Sequence, residues 1–156
     1  MADSTAAGEQ VSKVMSTKVV TAKANEKVSE ALRTMVKNKI GSIIVVEKGK
    51  PIGILTERDV ITRVAKGQNL RTMAVRRAMS KPLVTVAPSV EIWKAVEQMV
   101  RHDVRRLPVL DGDKLVGMVT ERDMMYWLIK VAYAPNMPED LEKLVDVRIQ
   151  AHLLPH

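Results

Sequence analysis

The sequence predicts an α/β (α+β) fold of two β-α-β-β-α repeats packed with pseudo-twofold symmetry. Two observations carry this: an internal duplication, and a hydrophobic period that changes from strand-like to helical at matching points of both copies. Laying residue n over residue n+64 aligns Val11–Ile61 with Val75–Met125 without a gap, and fifteen positions are identical. They include Met15/Met79, Ser16/Ser80, Val20/Val84, Thr21/Thr85, Ala31/Ala95, Met35/Met99, Val45/Val109, Gly53/Gly117 and the block Thr56-Glu57-Arg58-Asp59 over Thr120-Glu121-Arg122-Asp123. A unit of about fifty residues buries little apolar surface alone, so the copies are expected to share one globule with two equivalent clefts.

Each copy opens with a short β segment, Lys18 to Thr21 and Leu83 to Val86, the second closed by Pro88. Val28, Ala31, Leu32, Met35 and Val36 then fall at i, i+3, i+4, i+7 and i+8, as do Ile92, Ala95, Val96, Met99 and Val100; each set is an apolar stripe on a helix. Two apolar runs follow, Ser42 to Val46 and Pro51 to Leu55, separated by Glu47-Lys48-Gly49-Lys50. Their counterparts, Arg106 to Leu110 and Leu115 to Val119, are separated by Asp111-Gly112-Asp113-Lys114. Glycine between two strand-forming runs predicts a hairpin. A second helix begins at Thr56 and at Thr120. The chain thus divides into a tail (1–10), a first repeat (11–66), a connector (67–74), a second repeat (75–130) and an extension (131–156). In the extension, Glu139 and Asp140 suit the start of a short helix, and apolar residues alternate from Val145 to Leu153, which favours a strand over continued helix and asks for a partner surface.

Composition narrows the function. The chain has 156 residues, 46% of them apolar, with no secretory-type start and no apolar run of membrane-spanning length, so a soluble cytoplasmic protein is expected. Without cysteine, disulfides, thiolate nucleophiles and Cys-ligated zinc are excluded. The net charge of +7 invites a nucleic-acid reading, but the excess is scattered and only two Trp and two Tyr could stack on bases. Basic chains favour anionic ligands.

The block T-E-R-D follows a strand and opens a helix. One reading is a capping box, in which threonine and the acid three residues on satisfy free backbone N–H groups. The other is a nucleotide site, since a hydroxyl, free N–H groups, the positive end of the helix dipole and an arginine surround one point where phosphate is stabilised, with the aspartate accepting from a ribose diol. One threonine can serve both. Gly53 and Gly117 stand three residues earlier, where a missing side chain lets a ligand approach the strand.

The segments G-I-L-T-E-R-D and G-M-V-T-E-R-D resemble the G-h-h-T-x-x-D signature of cystathionine β-synthase (CBS) domains. The resemblance runs from residue 11 to about 129 and includes Val14-Met15, Ala78-Met79 and Arg106-Leu107-Pro108-Val109. It implies a CBS domain pair, or Bateman module: a regulatory protein that binds AMP, ADP, ATP, NAD-like compounds or S-adenosylmethionine as regulatory ligands, needs no cofactor, and forms a homodimer. By that likeness Asp59 and Asp123 hold ribose, Thr56 and Thr120 contact phosphate or ribose, and Arg58 and Arg122 lie near phosphate. Adenine is expected against the backbone near Thr21-Ala22, Thr85-Val86, Gly41-Ser42-Ile43 and Arg106-Leu107-Pro108. The rival readings are a nucleic-acid-binding protein that uses the basic surface and a scaffold that grips a partner protein through its C-terminal segment.

No catalytic set assembles. His102 beside Asp103 suits a helix end; His152 and His156 lack a third metal ligand; Gly41-Ser42 lacks the second glycine of a nucleophile elbow. No turnover and no metal are expected.

Overall fold

The computed structural model describes residues 8–133, 139 and 143. Its elements are a 3-10 turn at Val11–Lys13, β1 (Thr21–Lys23), α1 (Val28–Asn38), β2 (Ser42–Glu47), β3 (Lys50–Thr56), α2 (Glu57–Ala65), α3 (Val75–Ala78), α4 (Ile92–His102), β4 (Arg106–Asp111), β5 (Lys114–Thr120) and α5 (Glu121–Tyr133). Glu139 and Lys143 are helical and ion-paired at 2.6 Å. The strand expected over 145–153 lies outside the described residues.

The described chain falls into two compact units, Val19–Leu83 and a second that joins the part up to Lys18 to the part from Val84 onwards. Each unit therefore combines the sheet and helices of one repeat with the entry segment of the other. In the first, Val75 and Arg76 donate backbone N–H groups to Glu26 and Ala24, at 2.8 and 2.9 Å. In the second, Val11 and Ser12 donate to Val90 and Pro88, at 2.8 and 3.0 Å. The buried residues follow the same division: Val28, Ala31, Met35, Ile43, Val45 and Leu55 gather with Val75 and Ala78, while Ile92, Ala95, Leu107, Val109 and Val119 gather with Val11. Each fully buried aliphatic side chain stabilises its unit by about 1.5–3 kcal/mol.

β2 and β3 form an antiparallel hairpin with β1 parallel to β2. Lys48 and Gly49 take φ of 50° and 76° at the turn, the two positive values that match the twist of flanking strands. β4 and β5 repeat the hairpin register for register, with Gly112 at φ 61°.

Three expectations need correction. The first β segment runs Thr21–Lys23, not Lys18 to Thr21, because parallel pairing begins at Thr21 opposite Ile44. Leu83 to Val86 is no strand at all, only a bridge from Val86 to Val109. The reason is proline at two positions: Ile44 donates to Val20 and Ala24 to Val46 in the first unit, whereas the counterparts of these donors, Pro108 and Pro88, have no N–H to give. The ladder shrinks to Val86 donating to Pro108 and Leu110 donating to Val86. Finally, the helical stripe is narrower than its periodicity. Val28, Ala31 and Met35 are buried and Leu32 half-buried, but Val36 is 78% exposed, as is Val100 at 76%. At 100° per residue, i+8 lies roughly 80° round from i, outside the arc that a sheet covers.

Candidate functional site

Both T-E-R-D blocks fold as capped helix entrances. Strand β3 ends at Thr56, which adopts an extended φ of −111° and becomes the N-cap of α2. Its hydroxyl accepts from the Asp59 N–H at 3.2 Å, and Asp59 Oδ2 accepts both the Thr56 N–H and the Thr56 hydroxyl at 2.9 Å. Thr120 and Asp123 repeat the pattern: the Asp123 N–H donates to the Thr120 hydroxyl at 3.3 Å, while Asp123 Oδ2 accepts the Thr120 N–H at 2.7 Å and its hydroxyl at 2.9 Å. The capping box anticipated from the sequence is thus present twice, and it holds each carboxylate at the positive end of a helix dipole.

A residue that sequence reasoning left out of the site joins this group. Ser80 Oγ donates to Asp59 Oδ1 at 2.7 Å, so both oxygens of that carboxylate are engaged within the protein. Ser80 reaches it because residues 79–80 cross β3 as a short antiparallel bridge, with Ser80 N–H to Ile54 O at 2.8 Å and Ile54 N–H to Ser80 O at 3.1 Å. In the other unit Ser16 makes the same bridge to Met118. The signal was the identity of Met-Ser in both repeats.

This crossing also changes the reason for the two glycines. A Cβ on Gly53 would stand 2.6 Å from Met79 Sδ and 2.9 Å from the Ser80 carbonyl oxygen; on Gly117 it would stand 2.6 Å from Met15 Sδ and 2.9 Å from the Ser16 carbonyl oxygen. The space beside each glycine is filled by the chain's own Met-Ser segment rather than left open for a ligand. The missing side chain permits that close approach.

The other expected residues cluster by unit. Ser42 pairs with Thr56, Thr21 lies opposite Ile44, and the Gly41 carbonyl accepts the first N–H of α2 from Glu57 at 3.1 Å, so the starts of β1 and β2 and the end of β3 meet. Likewise Arg106 pairs with Thr120, and the Arg105 carbonyl accepts from the Glu121 N–H at 2.9 Å. The side chains of Ala22, Ile43, Val86, Leu107 and Pro108 are buried, leaving only their backbones for recognition; Ser42 is 8% exposed. Thr21, Thr85, Arg58 and Arg122 are exposed, and Arg106 is half-buried. Arg105 pairs loosely with Glu121 at 3.8 Å on the surface. His102 is exposed at the end of α4, as expected. Among the described residues no three His, Asp or Glu side chains gather as metal ligands, and no helix is long and apolar enough to cross a membrane.

Comparison with known proteins follows the same duplicated frame. The family model for the CBS domain matches residues 11–66 and again 75–130. An uncharacterized protein of Methanopyrus kandleri is 40% identical over 110 residues, 69% of this chain; the chain spans 56% of that relative's length. The CBS domain-containing protein YhcV of Bacillus subtilis is 37% identical over 115 residues, 73% of this chain and 81% of YhcV. A solved structure of a protein with CBS domains from Burkholderia ambifaria aligns at a TM-score of 0.74 with 27% identity, over 83% of this chain and 98% of that one. The fold is also that of the CBS domain protein PAE2072 from Pyrobaculum aerophilum, solved in complex with AMP, at a TM-score of 0.72 and 23% identity over 80% of this chain and 98% of that one. Matched twice across its length by one family model, and built twice around the same capped helix entrance, the chain belongs to the CBS-domain family as a CBS domain pair.

Proposed function

We propose that this protein is a non-catalytic regulatory module that binds an adenine nucleotide or adenosyl compound at its helix entrances and signals occupancy through conformation or association. The observation that carries the reading is the doubled group of threonine, aspartate and helix N-terminus, at which a hydroxyl, a carboxylate and dipole-aligned N–H groups converge, with an exposed arginine next to the aspartate in sequence. The AMP complex of PAE2072 supports an adenylate ligand. Asp59 and Asp123 accept from the ribose diol, Thr56 and Thr120 contact ribose or phosphate, and Arg58 and Arg122 attract the phosphate. Backbone of Thr21-Ala22 with Gly41-Ser42-Ile43, and of Thr85-Val86 with Arg106-Leu107-Pro108, receives adenine.

Signalling needs two states with different affinity for the ligand. Ser80 supplies a means in the first unit. A ribose hydroxyl competes with Ser80 Oγ for Asp59 Oδ1, and Ser80 belongs to the segment that leads from the connector into the second repeat. Occupancy at Asp59 therefore acts on the entry segment of the second repeat.

Isothermal titration with AMP, ADP, ATP, NAD and S-adenosylmethionine tests the reading. At least one ligand is expected to bind saturably, and Asp59→Asn with Asp123→Asn should weaken it at least about tenfold, the loss of a charge-assisted hydrogen bond at each site. Asparagine keeps an oxygen for the threonine N–H, so the fold is retained. No saturable heat from any of the five, or unchanged affinity in the double variant, rejects the reading.

A further inference from the structure

The duplication gives every residue of one repeat a counterpart 64 positions away, so a feature present in only one copy is not required by the fold. At the hairpin end of β2 and β3 lies a cavity of about 340 Å³ whose polar lining is Lys23, Asn25, Glu47, Lys48 and Arg76. β3 runs seven residues from Lys50 to Thr56, which places the cavity roughly 20 Å from the helix entrance at a rise of about 3.3 Å per residue. It is a separate place on the unit.

Its charge is specific to this copy. The counterparts of Lys23, Lys48 and Arg76 are Ala87, Gly112 and Ser12, while those of Glu47 and Gly49 are Asp111 and Asp113. Among the lining residues three cations and one carboxylate give +2, where their counterparts in the other copy include two carboxylates and no cation, −2; Lys50 and its counterpart Lys114 are common to both hairpins. The one carboxylate is already engaged, since Glu47 accepts from the Arg76 guanidinium and thereby holds it at the rim. The nearby Glu26 carboxylate accepts the backbone N–H of Lys23 at 3.1 Å. Among the described residues no carboxylate ion-pairs with the ammonium group of Lys23 or Lys48. Lys48 also sits at φ 50°, a conformation in which glycine is at ease and which glycine takes in the other hairpin, so a lysine is placed where backbone preference argues against it. The frame is fixed: Ala24 N–H donates to Val46 O at 3.0 Å and Arg76 N–H to Ala24 O at 2.9 Å.

The geometry points to a second ligand site in this unit, one that takes a small phosphate-bearing anion between the two lysines and Arg76. A guanidinium held in place presents paired donors to phosphoryl oxygens, and the ammonium groups supply mobile positive charge. A volume at the low end of ligand pockets suits a diphosphate or a sugar phosphate rather than a whole dinucleotide.

Sodium pyrophosphate titrated into ¹⁵N-labelled protein at constant ionic strength tests this through amide chemical shifts. The amides of Asn25, Lys48 and Gly49 should shift saturably while those of Ser89, Gly112 and Asp113 stay in place. The variant Lys23→Ala/Lys48→Gly, which installs the residues of the other hairpin, should weaken binding at least about tenfold. A parallel titration with ribose 5-phosphate separates the two sources of the phosphoryl group; tighter binding of either probe at these amides supports the site. Saturation by neither probe, equal shifts at both hairpins, or unchanged affinity in the variant overturns it.

Discussion

Asp59 engages both carboxylate oxygens inside the protein, one with Thr56 and the other with Ser80. The first partnership was legible in the sequence, because T-x-x-D at a strand-to-helix junction has few other uses and both partners lie within one helical turn. The second was not, because Ser80 is 21 residues away and only the folded crossing brings it near. Gly53 and Gly117 teach the same lesson: their position was readable, but what stands beside them is a segment of the other repeat. Substituting Gly53→Ala forces a methyl against the Ser80 carbonyl, which is backbone and yields little, so the unit should lose about 1–3 kcal/mol. Chemical denaturation at equilibrium measures this, and an unchanged midpoint would mean that the crossing segment is free to shift.

At the scale of elements, periodicity located the four longer helices, α1, α2, α4 and α5, and both hairpins because those patterns are local, but it gave no sign of the four-residue α3. It misjudged how far the apolar stripe of each helix is covered, since cover depends on what lies above the helix. It also missed that two prolines strip the second copy of the parallel strand that the first copy keeps as β1. The helices leave apolar residues in solvent: Ile61 and Val64 on α2 are 67% and 58% exposed, and Met125 and Leu128 on α5 are 49% and 57% exposed. Trp93 on α4 is half-exposed, its ring edge held by the Glu91 carboxylate and its face 5.2 Å from the Lys94 ammonium group; the hydrogen bond from Trp93 holds Glu91 below the usual carboxylate range. Exposed aliphatic side chains on successive turns of one helix are the usual mark of an association surface. We propose these exposed faces as the contact surface for the homodimer that the family resemblance implies. Leu128→Glu should convert a dimer to a monomer in size-exclusion chromatography with light scattering, and a wild-type monomer at tens of micromolar would remove the dimer from this account.

For the molecule as a whole, duplication was legible because fifteen identities survive in one register, and together with the shared change of hydrophobic period it points to the fold class. The exchange of entry segments was hidden, since a repeat in sequence says where units recur but not which copy each segment packs with. That exchange makes neither repeat self-sufficient: Val11 completes one core and Val75 the other. The surplus of positive charge is likewise scattered along the chain, yet at one hairpin it becomes local. The proposed function assigns a ribose diol to Asp59 and Asp123, and calorimetry with a nucleotide and its sugar-modified twin tests that most directly. The adenine nucleotide that binds best should be compared with its 2′,3′-dideoxy analogue. At least about tenfold weaker binding of the analogue is predicted, and equal affinity of the two would contradict the role assigned to both aspartates.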